Sequence, residues 1–276
     1  MKKLLATLAL FAAALPAQDT STPNEAPITT TLTHLRESPD AFRNVTVTFT
    51  VQFASLGKIS NPFFTRFTPT DFANLYVWAD EQPLWQKNSY ENLFGNLFYP
   101  KSGSQLQEVY ELKTYDRVQV TGVVRNTFQD SPWIEIRDFT VLGQQVTSAA
   151  LAHMYRGEQF MTERRWQRAI SELALAPAGE TPPALKSAAY KNLGICYLRV
   201  GETTQAVDYL NQARIYAPMP DMELEDLIAN ASNKPSSELD RVVGTSELKD
   251  HEMPMWEAFE TNGRSQQQNA APSRGQ

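Results

Sequence analysis

Two patterns of apolar and polar residues divide the chain near its middle. Between residues 28 and 147, short runs alternate apolar and polar side chains, and this period of two is typical of half-buried β-strands. From residue 148 to 232, Ala, Leu and aromatic residues recur at helical spacing instead. The sequence therefore predicts an α+β chain of two domains, a β-rich domain followed by an all-α domain. The clearest strand runs are 45–53, 74–80, 117–124 and 133–141, with 63–67 as a weaker candidate.

The interval between the second and third clear runs, residues 81–115, is long. Its sequence favours a helix near 90–97 or near 105–112. Gly122 interrupts the third run and predicts a bulge or a bend in that strand. Few strands, turn-rich links and a helical interval before the last two strands indicate a small closed barrel, because closure removes open sheet edges.

The first residues have the layout of a secretory signal peptide. Met1-Lys2-Lys3 precedes an apolar run from Leu4 to Leu15, and small residues follow it. We expect residues 1–17 to be removed, which places the protein in a periplasmic or secreted location, and no cysteine near the cut could carry a lipid. The run is too short to span a bilayer, and a buried core helix is the alternative. No later stretch of the sequence is long and apolar enough for a transmembrane segment.

Both flanks of the predicted domains are polar. Residues 18–27 contain two prolines and read as a flexible linker. Residues 233–276 lack apolar periodicity apart from 253–259, so this tail is expected to be disordered.

Composition narrows the choice of function. The chain has 276 residues, with 25 Lys and Arg against 31 Asp and Glu, a net charge of −6. This acidity, spread without a basic stripe, argues against a generic nucleic-acid binder. One cysteine excludes a disulfide framework within the chain and a multi-cysteine metal site. The histidines, His34, His153 and His251, show no ligand spacing.

The first domain, residues 28–147, resembles a bacterial OB-fold domain. The segment 35–51 looks like the entry to that fold, 115–124 like its fourth strand and 133–141 like its closing strand. The resemblance implies a small barrel that can bind oligonucleotides or oligosaccharides on one face. Tyr76, Trp78 and Trp133 are the candidate ligand-stacking residues of that face, and filling of the core is the alternative role for the same rings.

The second domain, residues 148–232, resembles a tetratricopeptide-repeat domain. The resemblance rests on residues 187–220, where residues typical of the family fall at the family's spacing. In chain order they are a large apolar residue, Leu-Gly, a tyrosine, a small residue, a second large apolar residue and a closing proline. Gly201 falls at the turn between the two helices. A weaker copy covers about 150–183, and residues 221–231 read as a capping helix. The residues that match are Tyr190, Leu193, Gly194, Tyr197, Ala206, Leu210 and Pro218 for the second repeat, and Gly157, Phe160, Trp166, Ala169, Leu173 and Ala176 for the first.

The family resemblance implies a peptide-binding groove made by the first helix of each repeat. Asn192 is the best candidate in it, because a side-chain amide can clamp a ligand backbone. A plain helical hairpin pair unrelated to the family is the alternative. Two repeats are below the usual three, so they need support from the capping helix, the barrel or a second copy of the chain. The candidate groove residues are Arg156, Gln159, Lys191, Asn192 and Arg199.

The sequence contains no phosphate-binding glycine loop and no metalloprotease or esterase signature. Cys196 lies inside the second repeat and reads as a buried packing residue. We therefore predict a non-catalytic, exported scaffold without a cofactor that binds an envelope protein or peptide segment. The alternatives are an OB-fold binder of polysaccharide or single-stranded nucleic acid, nucleic acid being disfavoured by the charge, and a hydrolase with an unrecognised site. Exposed aromatic rings beside Arg or Lys would favour the barrel, and a clean groove would favour the scaffold.

Overall fold

The computed structural model describes residues 26–58 and 66–233. The predicted signal peptide, most of the predicted linker and strand candidate 63–67, and the tail after 233 lie outside these residues. The described strands are β1 (Ile28–Thr29), β2 (Thr46–Leu56), β3 (Phe72–Ala79), β4 (Phe94–Pro100), β5 (Arg117–Phe128) and β6 (Ser131–Val141). The helices are α1 (Leu32–Glu37), α2 (Lys87–Glu91), α3 (Leu106–Glu111), α4 (Ser148–Thr162), α5 (Trp166–Leu173), α6 (Pro183–Arg199), α7 (Thr203–Tyr216) and α8 (Met222–Asn233).

Five of the strands close into a barrel, which confirms that part of the prediction. β2 pairs antiparallel with both β3 and β5, β4 pairs parallel with β6, and the ring β2–β3–β4–β6–β5 has no free edge among the five. This strand order, with α3 before β5, is consistent with an OB-fold. Alternate residues of β2 point inward and are buried, as the period-two pattern requires: Val47, Phe49, Val51 and Phe53.

The predicted helix at 90–97 is wrong. α2 ends at Glu91, and β4 occupies Phe94–Pro100. Alternation is lost in this strand because Leu97, Phe98 and Tyr99 are all buried: the inner face fills the barrel and Phe98 is covered on the outer face. The second candidate helix, 105–112, is confirmed as α3.

The predicted irregularity at Gly122 is also confirmed. The register between β5 and β6 shifts between Thr121 and Gly122. A Cβ at Gly122 would lie 2.8 Å from the Glu135 carbonyl oxygen, so the close approach of the two strands requires glycine.

The helical part contains two close-packed hairpins, α4–α5 and α6–α7, followed by α8. In the second hairpin, Ser187 Oγ donates to the Ala213 carbonyl at 2.8 Å and Tyr197 stacks on Tyr209, so α6 and α7 run antiparallel. Gly201 between them has a φ of +86°, the left-handed conformation predicted for this turn. Gly194 lies at the contact, because a Cβ there would be 2.6 Å from Leu210 Cγ.

The barrel and the helices share buried surface. One apolar cluster fills the barrel interior. A second cluster joins outward-facing barrel residues, among them Ala54 and Trp78, to Leu151 and Met154 of α4 and onward to α8. The helices therefore cover one outer side of the barrel.

Gly194→Ala tests the close contact in the α6–α7 hairpin. The added methyl must displace Leu210, so we expect the free energy of unfolding to fall by about 1–3 kcal/mol despite the better helix propensity of alanine. Urea unfolding measures the effect. Gly143→Ala is the control, because no atom lies within 4 Å of its Cβ position. In a Leu210→Ala background the loss should largely disappear, and an unchanged loss there would contradict the contact.

Candidate functional site

The helices meet the barrel through the β3–β4 connection. This segment projects from the barrel, and its side chains Leu84 and Trp85 are buried, only 1% and 6% exposed. They line a residual cavity of only about 10 Å³ against the helices, so the contact is tightly packed. The opposing surface, which we call the α4–α6 face, consists of Leu151, Met154, Glu158, Leu185 and Asn192.

A buried carboxylate lies within this contact. Glu158 is 5% exposed and accepts two hydrogen bonds, from Gln86 Nε2 at 3.1 Å and from Asn192 Nδ2 at 3.0 Å. The indole N–H of Trp85 faces the same carboxyl without reaching ordinary hydrogen-bond geometry. The carboxyl thus links the barrel segment to α6 from its position on α4.

Burial raises the pKa of Glu158 above its usual value, and the facing indole N–H of Trp85 and the hydrogen bonds from Gln86 and Asn192 lower it only in part. All three partners are neutral, so removal from water outweighs their stabilisation of the charged form. Compared with a carboxyl in water, Glu158 is therefore shifted toward its protonated form.

An ion pair holds the base of the same connection. Arg117 of β5 donates from Nε and Nη2 to the two carboxylate oxygens of Asp80, both at 2.7 Å. Its Nη1 donates to Gln144 Oε1 at 2.8 Å, in the link between β6 and α4. Both charged side chains are largely buried, and a bidentate pair fixes direction as well as distance.

Three of the predicted groove residues are engaged within the chain. Asn192 donates to the Glu158 carboxylate at 3.0 Å, an internal side chain, and the predicted clamping of a ligand backbone by its amide stays a prediction. Gln159 Nε2 donates to the Tyr155 hydroxyl at 2.9 Å. Lys191 pairs with Asp221 and Glu223 at the start of α8; burial lowers the pKa of Lys191, but the bonds to these acids outweigh it and raise the pKa.

The other two groove candidates contact residues of α5. Arg156 donates to Glu172 of α5 at 2.9 Å, and His153 shares that carboxylate. Arg199 lies over the Trp166 ring at 5.6 Å, and burial lowers the pKa of its guanidinium. All five candidates therefore have partners within the chain, and the face that Asn192 belongs to is covered by Leu84 and Trp85. The predicted groove itself stays a prediction.

The candidate barrel residues lie on two different outer sides. Trp78 is buried and donates to the Tyr90 carbonyl at 2.8 Å, under the helices. Tyr76 is half-buried between Gly57 and Gly95, where a Cβ at either glycine would collide with its ring. Trp133 lies on the outer side that β4, β5 and β6 form, and it is half-buried.

Trp133 belongs to a stack of three rings with cations beside it. Phe98 lies 5.3 Å from Trp133 and 4.1 Å from Phe67, with near-parallel planes. Arg66 lies over the Phe67 ring at 5.9 Å, and both Arg66 and Arg137, which are more than half exposed, pair with Glu135. Sequence analysis set exposed rings beside arginine as the sign of a ligand-binding barrel; here Phe67 and Phe98 are buried and Trp133 is half-buried, so the ligand-binding face stays a prediction.

Sequence reasoning missed Glu158 and Trp85. The signal for Glu158 was a lone charge in the apolar stripe formed by Leu151, Met154 and Met161 at helical spacing. Trp85 gave no such signal, because its partners lie more than sixty residues further along the chain.

The single cysteine, Cys196, is buried in the helical part of the chain. Burial raises the pKa of the Cys196 thiol to about 12, so it is not a nucleophile at neutral pH. Within residues 26–58 and 66–233, no group of His, Cys, Asp and Glu could hold a metal ion. In the same residues no helix has the length and apolar character needed to cross a bilayer.

Comparison with protein-family models and with curated proteins finds no match for this chain. The function is therefore inferred from the sequence and from the geometry of the described residues.

Glu158→Gln tests the effect of burial on this carboxyl, in the contact between the β3–β4 connection and the α4–α6 face. A carboxyl with a raised folded pKa binds its proton more tightly in the folded chain, so its contribution is complete below the ordinary value of 4.5 and is lost as pH rises through the folded pKa. We expect the unfolding free energy of the wild type minus that of Glu158→Gln to fall as pH rises above the ordinary carboxyl value of 4.5, at up to about 1.4 kcal/mol per pH unit. Urea unfolding at a series of pH values that starts below 4.5 measures it, with the exposed Asp226→Asn as control. A flat difference would count against the buried charge.

Trp85→Ala tests the docking of the segment. Loss of a buried tryptophan should cost about 3–5 kcal/mol and uncover the α4–α6 face, seen as increased binding of an apolar fluorescent dye to the folded chain. Trp166→Ala, which removes a half-buried ring from α5, is the matched control and should leave dye binding low. Equal dye binding by the two variants would show that Trp85 does not cover this face.

Proposed function

We propose that this chain is an exported, non-catalytic binding protein in which the barrel holds the ligand and the helices support the barrel. The observation that carries the proposal is the stack of Phe67, Phe98 and Trp133 with Arg66 and Arg137 at its side. Trp133 is the half-buried ring of this stack, and a ring surface beside cations can bind a planar or ring-shaped polar ligand. Of the two functions predicted from sequence, this favours the binder of polysaccharide or single-stranded nucleic acid.

The helices support this assignment because residues of the same chain already occupy their α4–α6 face. The α4–α6 face is covered by Leu84 and Trp85 of the same chain, so a partner peptide would first have to displace two buried side chains. We assign the hairpins to the tetratricopeptide type and the barrel to the OB type. The small-residue contacts at Gly157 and Gly194 and the barrel strand order support these assignments.

A protein scaffold is the second candidate, and one feature of the helices favours it. Ile215, Met219 and Met222, at the junction of α7 and α8, are 76%, 50% and 74% exposed and form an apolar patch. If this patch binds a protein, Met222→Glu should abolish that binding and leave ligand capture by the barrel unchanged.

Trp133→Ala tests the main proposal. The full chain, immobilised, is exposed to an envelope extract of the producing organism, and captured material is analysed for sugar, nucleic acid and protein. We expect the wild type to retain a polymeric ligand, and Trp133→Ala to lose most of it because the accessible ring of the stack is gone. Tyr110→Ala, which removes an exposed ring of α3, is the control. Equal capture by Trp133→Ala and wild type would overturn the barrel assignment.

A further inference from the structure

The Trp133 side of the barrel contains an unusual charge cluster centred on Glu135. Glu135 lies on β6 beside Phe98 of β4 and Val123 of β5, and its side chain is 7% exposed. Arg125 donates to it from Nε at 2.9 Å and from Nη2 at 3.3 Å. Because Glu135 points outward from the barrel, its burial depends on the side chains that surround it.

Two further arginines approach the same carboxylate. A nitrogen of Arg137 lies 3.3 Å from Oε1, and a nitrogen of Arg66 lies 3.4 Å from Oε2. Three guanidiniums therefore meet one carboxylate, which leaves two positive charges in excess at this point of a chain whose net charge is −6. Such a local excess attracts an anion where the rest of the molecule repels it.

The outer two arginines remain able to bind a second anion. Arg66 and Arg137 are 59% and 52% exposed, and their contacts with Glu135, at 3.4 and 3.3 Å, are longer than the 2.9 Å contact of Arg125. A guanidinium has five N–H donors in a planar fork, so the remaining donors of each can engage a ligand carboxylate. Arg125, which is mostly buried and bidentate, fixes the position of Glu135 instead.

The rings limit what the rest of the ligand can be. Phe67 and Phe98 are buried, so Trp133 is the member of the stack that offers partial ring surface. Single-stranded nucleic acid is bound by successive rings along a continuous positive groove. One ring next to one anion site fits a single sugar ring with one carboxylate better than it fits a run of bases and phosphates.

We infer that Arg66 and Arg137, beside Trp133, form a subsite for the carboxylate of an acidic sugar within a polysaccharide. This inference rests on the proposed function and names its ligand class. The sugar ring packs on Trp133, and the two exposed guanidiniums bind the ligand carboxylate in competition with Glu135.

The test is calorimetric titration of the full chain at low ionic strength with three probes: trigalacturonate, neutral galactotriose and a ten-base thymidine oligonucleotide. We expect trigalacturonate to bind at least about tenfold more tightly than galactotriose, since a charge-assisted hydrogen bond is worth about 1.5–3 kcal/mol. Arg66→Gln and Arg137→Gln should each weaken trigalacturonate binding about tenfold. Arg168→Gln, an equal change of charge on exposed α5, should not.

Glu135→Gln separates a binding role from a structural one. Removal of the internal carboxylate frees the cluster for the ligand, so trigalacturonate affinity should rise several-fold, whereas a purely structural cluster would bind no better. If this variant does not fold, as judged by circular dichroism, the two exposed arginine variants decide the question.

Three results would overturn the inference: no binding of trigalacturonate, equal binding of the neutral trimer, or tighter binding of the oligonucleotide. Capture of a neutral glycan that still depends on Trp133 would overturn the acidic subsite and leave the proposed function standing. Loss of the Trp133 dependence itself would overturn both.

Discussion

The contact between the β3–β4 segment and the α4–α6 face determines how the two parts of the chain are arranged. Leu84 and Trp85 supply the buried apolar area, and Glu158 supplies direction, because hydrogen bonds have preferred angles and apolar contacts do not. A buried carboxylate with neutral partners is costly, so its gain is in defining one arrangement rather than in net stability. With this contact in place, two hairpins, fewer than a free-standing stack needs, gain a second surface to pack on.

The same contact divides the outside of the barrel into two sides with different roles. The side with Trp78 is covered by the helices, and its rings belong to the shared core. The described helices do not cover the side with Trp133, and there three arginines surround Glu135. Trp78 is thus buried and Trp133 half-buried, because the strand register places them on different sides of the barrel.

Local patterns predicted much of the fold. Period-two alternation located four of the barrel strands, and the small residues Gly194 and Gly201 located the close contact and the turn of the α6–α7 hairpin. β4 was missed, and the helix placed over part of it was wrong, because Phe98 is buried on the outer face as well as its neighbours on the inner one. When both faces of a strand are buried, alternation disappears and periodicity no longer separates strand from helix.

The sequence by itself determined the α+β division, most strands and the helical hairpins, since these depend on neighbours within a few residues. The sequence also singled out Asn192, with the prediction that its amide clamps a ligand backbone. Only the tertiary structure decided that its partner is Glu158, that Trp85 covers the face it belongs to, and that Arg66, Arg125 and Arg137 meet at Glu135. The physical reason is distance along the chain: these groups come from separate elements, and only barrel closure and helix docking bring them within hydrogen-bond range.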